Sequence, residues 1–303
     1  RVLFRSAGTY RSDRYQCDGS DYRLQAVTMT IQNSSNLFVQ VRAALMETEP
    51  QIKCELTNKI NSDWNNGLLV MESDSNEVRK DVTEPGRPLT PELVHPRSLS
   101  RRGLGTPEGR AALIHAVTHI EFNAINLALD AVYRYPGMPA EYYTDWLRVA
   151  HEESNHFNLL RNRLNKMDYD YGDFVAHNGL WEIAMRTAHD LVHRMAMVPR
   201  MMEARGLDVT PDMIKRFTKI GDLETAEILK IILSEEIGHV EAGSRWFRFL
   251  CKQRGIEAEQ TWLELVQKYL ATDIRCPLHW ETRKQAGFSD NELEQLQELC
   301  TRN

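Results

Sequence analysis

The sequence lacks the features that would place the chain in a membrane or hold it together by disulfide bonds. No apolar run approaches the roughly 20 residues of a membrane-spanning helix, and no signal-peptide pattern opens the chain. The five cysteines among 303 residues are scattered, odd in number and never spaced Cys-x-x-Cys. We therefore expect reduced thiols in the cytoplasm, and neither a disulfide framework nor a structural zinc site.

A large excess of charge of one sign is also absent. The net charge is −6, with 26% charged and 42% hydrophobic residues, which is ordinary for a globular protein and argues weakly against a dedicated nucleic-acid binder. One basic run is expected to be a solvated patch, and a phosphate-binding site is the minority alternative. Its residues are Arg97, Arg101, Arg102 and Arg110.

Strand-like alternation is almost absent too, and helix signals dominate the chain. Residues 1–28 show no amphipathic period, and we expect a non-native or disordered leader before a native start at Met29. The alternative, a transit peptide, is weakened by three aspartates in this segment. The predicted fold is all-α, a core of four long helices with additional N- and C-terminal helices. Its parts are N-terminal helices and a Pro-rich linker over 29–105, a core over 106–255 and a helical extension over 256–303.

The predicted helices have recognisable ends. Thr106 predicts the N-cap of a helix that runs toward Tyr133. Four further helices are predicted over residues 139–166, 179–205, 210–221 and 222–254. We expect Pro199 to kink the 179–205 helix and Gly206 to end it. The sequence SDNE at 289–292 is a capping box for a C-terminal helix.

A repeated motif lies within these helices. The segments HEESNHFNLL and SEEIGHVEAG both contain Glu-Glu-x-x-His. Glu153 with His156, and Glu236 with His239, are each three residues apart, so each pair shares one helix face. The neighbours of both glutamates at helical spacing are apolar, and a buried lone carboxylate is costly unless it is paired or bound to a metal.

A third Glu-x-x-His in the chain serves as an internal comparison. Glu92 and His95 have the same spacing, but Pro91 and Pro96 flank them. No helix can place this pair on one face, so we expect it to have no role in metal binding.

Two further glutamates complete the pattern. Glu121 also lies in an apolar stripe, whereas Glu203 follows a Met-rich segment and has Arg200 three residues before it. Because Glu121 precedes Glu153 by about as many residues as Glu203 precedes Glu236, the chain reads as two copies of one helix hairpin. We predict six inward-facing metal ligands: Glu121, Glu153, His156, Glu203, Glu236 and His239.

This ligand set predicts the metal. Four carboxylates and two imidazoles suit a site for two ions of iron or manganese, whereas zinc normally takes fewer ligands and often sulfur. Glu152 and Glu235 directly precede the ligand glutamates. They are predicted either to accept the N–H of a ligand histidine or to be ordinary surface residues.

The arrangement resembles a known superfamily over roughly residues 106–254. Ferritin-like di-metal proteins carry one Glu on each of two helices and Glu-x-x-His on each of the other two. More narrowly, four segments resemble the bacterial ferritin-like family called domain of unknown function 455: EFNAINLALDAVYRYPGMP, YGDFVAHNGLWE, EARGLDVTP and EEIGHVEAGSRWFRFLC. The superfamily resemblance implies a ferritin-like four-helix bundle with additional N- and C-terminal helices. It also implies one of four functions, namely a di-iron oxidase, a hydroxylase (a tRNA hydroxylase is among them), a ferroxidase or a manganese catalase.

The leading functional expectation is an O₂-activating di-iron oxidoreductase with a small-molecule substrate and a separate electron donor. The long additions outside the bundle favour it, because they can build a substrate pocket, whereas storage proteins use a compact bundle. The alternatives are a ferroxidase or other metal-handling protein and a di-manganese enzyme that disproportionates peroxide. Six inward ligands disfavour a metal-free scaffold, and the oligomeric state stays open.

Overall fold

The computed structural model describes residues 34–71, 81–99, 103–270 and 274–301, which form an all-α helical bundle. Within these ranges the β contacts are two isolated bridges, Asn36 with Val70 and Leu93 with Ala176. From Ser35 onward the chain belongs to one compact unit. The leader predicted over 1–28 and the start predicted at Met29 lie outside the described residues. The domain limits within the unit stay a prediction.

The helices follow in chain order, and their bounds are as follows. Before the core come α1 (Leu37–Met46) and α2 (Pro50–Asn65), and the core begins with α3 (Pro107–Arg134) and α4 (Ala140–Asn165). A segmented third element comprises α5 (Gly179–Arg186), α6 (Leu191–Met197), a π-helix (Val198–Glu203) and α7 (Ala204–Lys219). The core ends with α8 (Leu223–Arg254), and the C-terminal extension holds α9 (Ala258–Leu270), α10 (Trp280–Gln285) and α11 (Asp290–Thr301).

Several predicted helix ends are confirmed by their hydrogen bonds. The Thr106 hydroxyl oxygen accepts from the Gly109 amide at 3.0 Å and caps α3. Gly255 ends α8 with φ 66, a left-handed conformation that glycine adopts without steric penalty. At the start of α11, the Ser289 amide donates to Glu292 at 2.9 Å and the Glu292 amide donates to Ser289 Oγ at 3.1 Å, which completes the capping box.

The prediction of one continuous helix over 179–205 is wrong. The helix stops at Arg186, and a new one begins at Leu191 because Asp190 caps it, accepting from the Val192 amide at 2.7 Å. Regular α-helical bonding is interrupted again in the π-helix, where Pro199 lies. Proline has no N–H to donate, so irregular bonding at this position agrees with the disturbance expected there.

Gly206 does not end a helix, and the separate helix predicted over 210–221 is also wrong. Helix α7 runs through Gly206 and Pro211 without a break. An internal proline opposes a helix by about 3 kcal/mol, and tertiary packing offsets this. Leu207 and Phe217 of α7 are fully buried.

The core forms where the long helices pack together. Helix α3 packs against α4, α4 against α8, and α7 against α8, while α1 and α2 cover α3 and α4 respectively. Lys53 of α2 is fully buried, and its ammonium donates to the Ala44 and Leu45 carbonyls at the end of α1 and to Asn126 of α3. One lysine therefore joins three helices.

The expectation that all five cysteines are reduced is wrong for two of them. Cys276 and Cys300 form a disulfide within the C-terminal extension, whereas Cys54 and Cys251 are free and buried. The pair is separated by 24 residues, so only the packing of the extension brings the two sulfur atoms together. No local sequence signal marks such a pairing. Cys17 lies outside the described residues.

Within the described part of the chain, no helix has the length and apolar content needed to cross a membrane. Of the basic run, Arg97 is exposed and the Arg110 guanidinium donates to the Leu104 carbonyl at 3.2 Å. Arg101 and Arg102 lie outside the described residues, so a phosphate-binding role for this run stays a prediction.

Candidate metal centre

The six predicted ligands come from the four core elements. Helix α3 carries Glu121, α4 carries Glu153 and His156, and α8 carries Glu236 and His239, all of them buried. The remaining one, Glu203, is the last residue of the π-helix. The apolar neighbours predicted around Glu153 are buried as expected: Trp146, Val149, Ala150, Phe157, Leu160 and Leu164.

Four of the six side chains meet at one point. Ligand atoms of Glu121, Glu153, His156 and Glu236 all lie within 4.8 Å of one another. The His156 Nδ1 atom lies 3.2 Å from Glu121 Oε2 and 3.3 Å from Glu153 Oε2. Three carboxylates and an imidazole at this separation can hold a metal ion.

Glu203 and His239 lie outside that group of four. We group them with Glu153 and Glu236 as a second set, because His239 Nδ1 lies 3.0 Å from Glu153 Oε1 and 3.7 Å from Glu236 Oε2, and the charges of these two carboxylates act on Glu203. The buried atoms of the described residues that lack a well-formed hydrogen bond include four in this set: Glu153 Oε1, Glu203 Oε2, Glu236 Oε2 and His239 Nδ1. Orphaned polar atoms in a protein interior need an explanation, and an ion is one.

The two sets share Glu153. Its Oε2 atom faces His156 and its Oε1 atom faces His239, so one carboxylate spans both histidines. Glu236 also belongs to both sets. Two carboxylates are therefore common to both sets, and the buried Glu/His group could hold a metal ion.

The two glutamates that precede the ligands contact the histidines of the opposite helix. Glu235 Oε2 lies 2.7 Å from His156 Nε2, and Glu152 Oε2 lies 2.7 Å from His239 Nε2. Each contact leaves the Nδ1 atom facing the centre. Arg148 in turn donates to both oxygens of Glu152, at 3.1 and 2.8 Å. The i,i+4 spacing of Arg148 and Glu152 is a signal that sequence analysis could have used.

Crowded carboxylates shift the pKa values of this centre. Burial, with the nearby charge of Glu153, raises the pKa of Glu121 well above its usual value and raises that of Glu236. Burial and the charges of Glu236 and Glu153 raise the pKa of Glu203 to about 8.

The pKa values of His156 and His239 are raised, whereas burial lowers those of the other buried histidines, His115 and His119. Burial alone would lower the pKa of His156, but hydrogen bonds with Glu121 and Glu153 raise it to about 11. Burial is likewise outweighed at His239, where Glu152 and Glu153 raise the pKa well above its usual value. The carboxylates thus attract positive charge strongly, and metal ions would compete with protons for the same atoms.

His115 and His119, two further histidines of α3, belong to a structural cluster. Both are buried. His119 Nδ1 lies 2.9 Å from the Tyr171 hydroxyl, and His115 Nε2 accepts from the Gly172 amide at 3.0 Å. The Tyr171 ring packs against Phe157 at 5.1 Å, so this cluster supports α4 beside the centre.

The comparison pair behaves as its prolines predict. Glu92 and His95 lie in a non-helical segment, and His95 Nδ1 accepts from the Arg97 amide at 3.2 Å to cap a short 3₁₀ turn. Both residues are exposed. Identical spacing without a buried helix face therefore assembles no cluster here.

Comparison with known proteins places the chain in a family. Residues 46–294 match the family model described as protein of unknown function (DUF455). The chain belongs to this family. The description of the family states no reaction, so only the site itself points to a function.

A relative supports the assignment over nearly the whole chain. An uncharacterized protein of Haemophilus influenzae is 42% identical over 271 residues, which covers 86% of this chain and 93% of that protein. No solved structure gives a significant match.

Proposed function

We propose that this protein is a ferritin-like di-iron carboxylate protein that activates O₂ as an oxidoreductase. The observation that carries the proposal is the pair of ligand sets that share Glu153 and Glu236. One set has Glu121 and His156 at its outer side, and the other has Glu203 and His239 with their unpaired buried atoms.

In this function the chain holds and orients two iron ions. Glu153 and Glu236 would contribute to holding both ions, and His156 and His239 would each present Nδ1 to one ion, because Nε2 faces a glutamate. Glu235 and Glu152 orient the two imidazoles and would increase their basicity. When bound as Fe(II), the two ions would supply two electrons to O₂, and a separate electron donor would return them.

The donor set also favours redox work over a purely structural role. Four carboxylates would nearly cancel the charge of two divalent ions, and six protein ligands shared by two ions would leave positions open for O₂. A structural site would normally close its coordination with protein groups. Phe157 and Phe122, which directly follow the proposed ligands His156 and Glu121 in the sequence, are buried, and such apolar surroundings would limit the access of water.

Oxygen consumption tests the proposal. Protein purified without oxygen and loaded with Fe(II) is mixed with O₂, and uptake is followed with an oxygen electrode for the wild type, Glu153→Ala and Glu92→Ala. Glu153→Ala removes a bridging carboxylate and should abolish uptake. Glu92→Ala is the matched control, since it removes the glutamate of the exposed Glu-x-x-His, and it should consume O₂ like the wild type.

The same experiment separates the alternatives. An iron-loaded wild type that is inert to O₂ contradicts the oxidoreductase. Iron accumulation well beyond the two ions of the centre would instead support metal storage, and peroxide disproportionation by the manganese-loaded protein alone would support the di-manganese enzyme. The substrate, the electron donor and a tRNA partner remain proposals that depend on a positive result.

A further inference from the structure

Glu203 differs from the other candidate ligands in how the chain holds it. The others lie on long α-helices, whereas Glu203 ends the six-residue π-helix. Its Oε2 atom is buried without a partner, among the charges of Glu236 and Glu153. A π-helix is rare and is frequently found at functional sites. The contacts of this one show how Glu203 is held in place.

Arg200, in the same π-helix, is anchored in the C-terminal extension. Its guanidinium is fully buried and donates to Glu292 of α11 at 2.7 Å and to Ser244 of α8 at 3.1 Å. It also lies 4.8 Å from the ring centre of Trp262 and 4.7 Å from that of Phe288, both in the extension. Glu292 is itself fixed by its capping box with Ser289.

A second anchor follows Glu203 on the other side. Asp208 of α7 accepts two hydrogen bonds from Arg283, both at 2.8 Å, and one from the His279 amide at 2.8 Å. Arg205 donates to the carbonyls of Arg275 and Pro277, each at 3.1 Å. The extension therefore holds the chain both before and after Glu203.

The π-helix makes these contacts compatible with a ligand role. In an α-helix, residues three apart share a face, so Arg200 and Glu203 would point the same way. A π-helix bonds residue i to i+5 and has more residues per turn, which turns the two side chains apart. Arg200 accordingly faces Phe247, at 5.0 Å, roughly three turns along α8 from Glu236.

We propose that the C-terminal extension positions Glu203 for the second metal ion, through the Arg200–Glu292 and Arg283–Asp208 ion pairs. Arg200 and Arg283 are positioning residues that do not touch the metal. The inference rests on the proposed two-metal centre. It gives residues 256–303 a role in the site, although they contribute no ligand to it.

General stabilisation does not account for these pairs as well. Replacing a buried ion pair by apolar residues is often neutral or stabilising, so such a pair is weak evidence for stability. The two buried pairs lie before and after Glu203 in the chain, so they are better explained as contacts that fix the position of its unpaired carboxylate. Residues that orient metal ligands typically change metal affinity by roughly 10–100-fold when they are mutated.

Anaerobic titration of the full-length, metal-free protein with Fe(II) tests the inference. The variants are Arg200→Met and, because the first leaves Glu292 buried without its cation, the milder Glu292→Gln. Leu164→Ala is the control, since it removes a fully buried side chain and should lower stability by about 2–5 kcal/mol at a distance from the extension. Hydrogen exchange of residues 198–208 is measured on the same metal-free samples.

We expect the wild type to bind two ions. Both charge variants should bind one of the two ions roughly 10–100-fold more weakly and bind the other with unchanged affinity. Hydrogen exchange over residues 198–208 should be faster in both variants. Leu164→Ala should lower the melting temperature and leave both affinities as they are. If Arg200→Met does not fold, Glu292→Gln decides the question. Wild-type affinity for both ions, or equal weakening of both, overturns this inference alone. A wild type that binds no iron overturns the proposed function as well.

Discussion

At the scale of single residues, Glu153 is the side chain on which the centre depends most. It is fully buried, and its two oxygens face His156 and His239. Burial alone would raise its pKa, but the close contacts with these two histidines hold the pKa well below the usual value. Glu121 instead belongs to one ligand set only, and its pKa is raised.

These differences predict distinct effects of neutral isosteres. Glu153→Gln should lose both metal ions, because it removes the charge shared by the two sets. Glu121→Gln should lose only the ion beside His156, because Glu121 belongs to one ligand set only. Metal analysis of the two variants checks this, and equal metal loss from both would contradict the shared role of Glu153.

Lys53 gives a pH-dependent prediction. Burial lowers its pKa from 10.5 to about 7. Between these pH values the unfolded chain binds a proton that the folded chain does not, so this residue makes the free energy of unfolding rise with pH by about 1.4 kcal/mol per pH unit. Lys53→Met lacks this titration.

Urea unfolding of the wild type and Lys53→Met at pH 7.5 and 9.5 measures the effect. The free energy of unfolding of the wild type should increase relative to that of the variant at the higher pH. A difference between the two proteins that is the same at both pH values would show that Lys53 keeps its ordinary pKa in the fold.

At the scale of elements, the contact between the π-helix and α8 requires a glycine. A Cβ atom on Gly243 would lie 2.4 Å from the Pro199 ring, and the backbone of neither element can yield easily in a packed core. Gly243→Ala should therefore destabilise the metal-free protein by about 1–3 kcal/mol. It should also lower the affinity for the metal ion that Glu203 is proposed to bind.

Gly238 of the same helix offers the matched control. A Cβ atom there meets nothing closer than the Arg148 guanidinium at 3.8 Å, so Gly238→Ala should stabilise α8 by about 0.5–1 kcal/mol. Thermal melts and metal analysis of both variants compare the two sites. If Gly243→Ala were as stable as Gly238→Ala, the close packing of the π-helix would not constrain Glu203.

Elements differ in how far their sequence predicts them. Helices α3, α4 and α8 were predictable because caps such as Thr106 and a continuous apolar stripe agree over many turns. The third element was not, since its boundaries depend on the cap at Asp190 and on tertiary contacts that carry α7 through Pro211. Glu203 looked poorly placed beside Arg200 because the π-helix has no recognised sequence signal.

At the scale of the whole molecule, the convergence of Glu121, Glu153, His156 and Glu236 was readable from periodicity, whereas the Cys276–Cys300 disulfide and the Arg200–Glu292 pair were not. The four-residue cluster depends on which helix faces point inward. The disulfide and the ion pair depend on how the C-terminal extension packs. Local spacing predicts the inner surface of a bundle, but it does not predict which distant segments pack against the bundle.

The central claim is that one bundle holds two metal ions between Glu153 and Glu236. Anomalous diffraction at the iron edge, from crystals loaded anaerobically with Fe(II), tests it most directly. The account predicts two peaks about 3.5–4 Å apart, one beside His156 and Glu121 and the other beside His239 and Glu203. A single peak, or iron bound away from these six side chains, would contradict it.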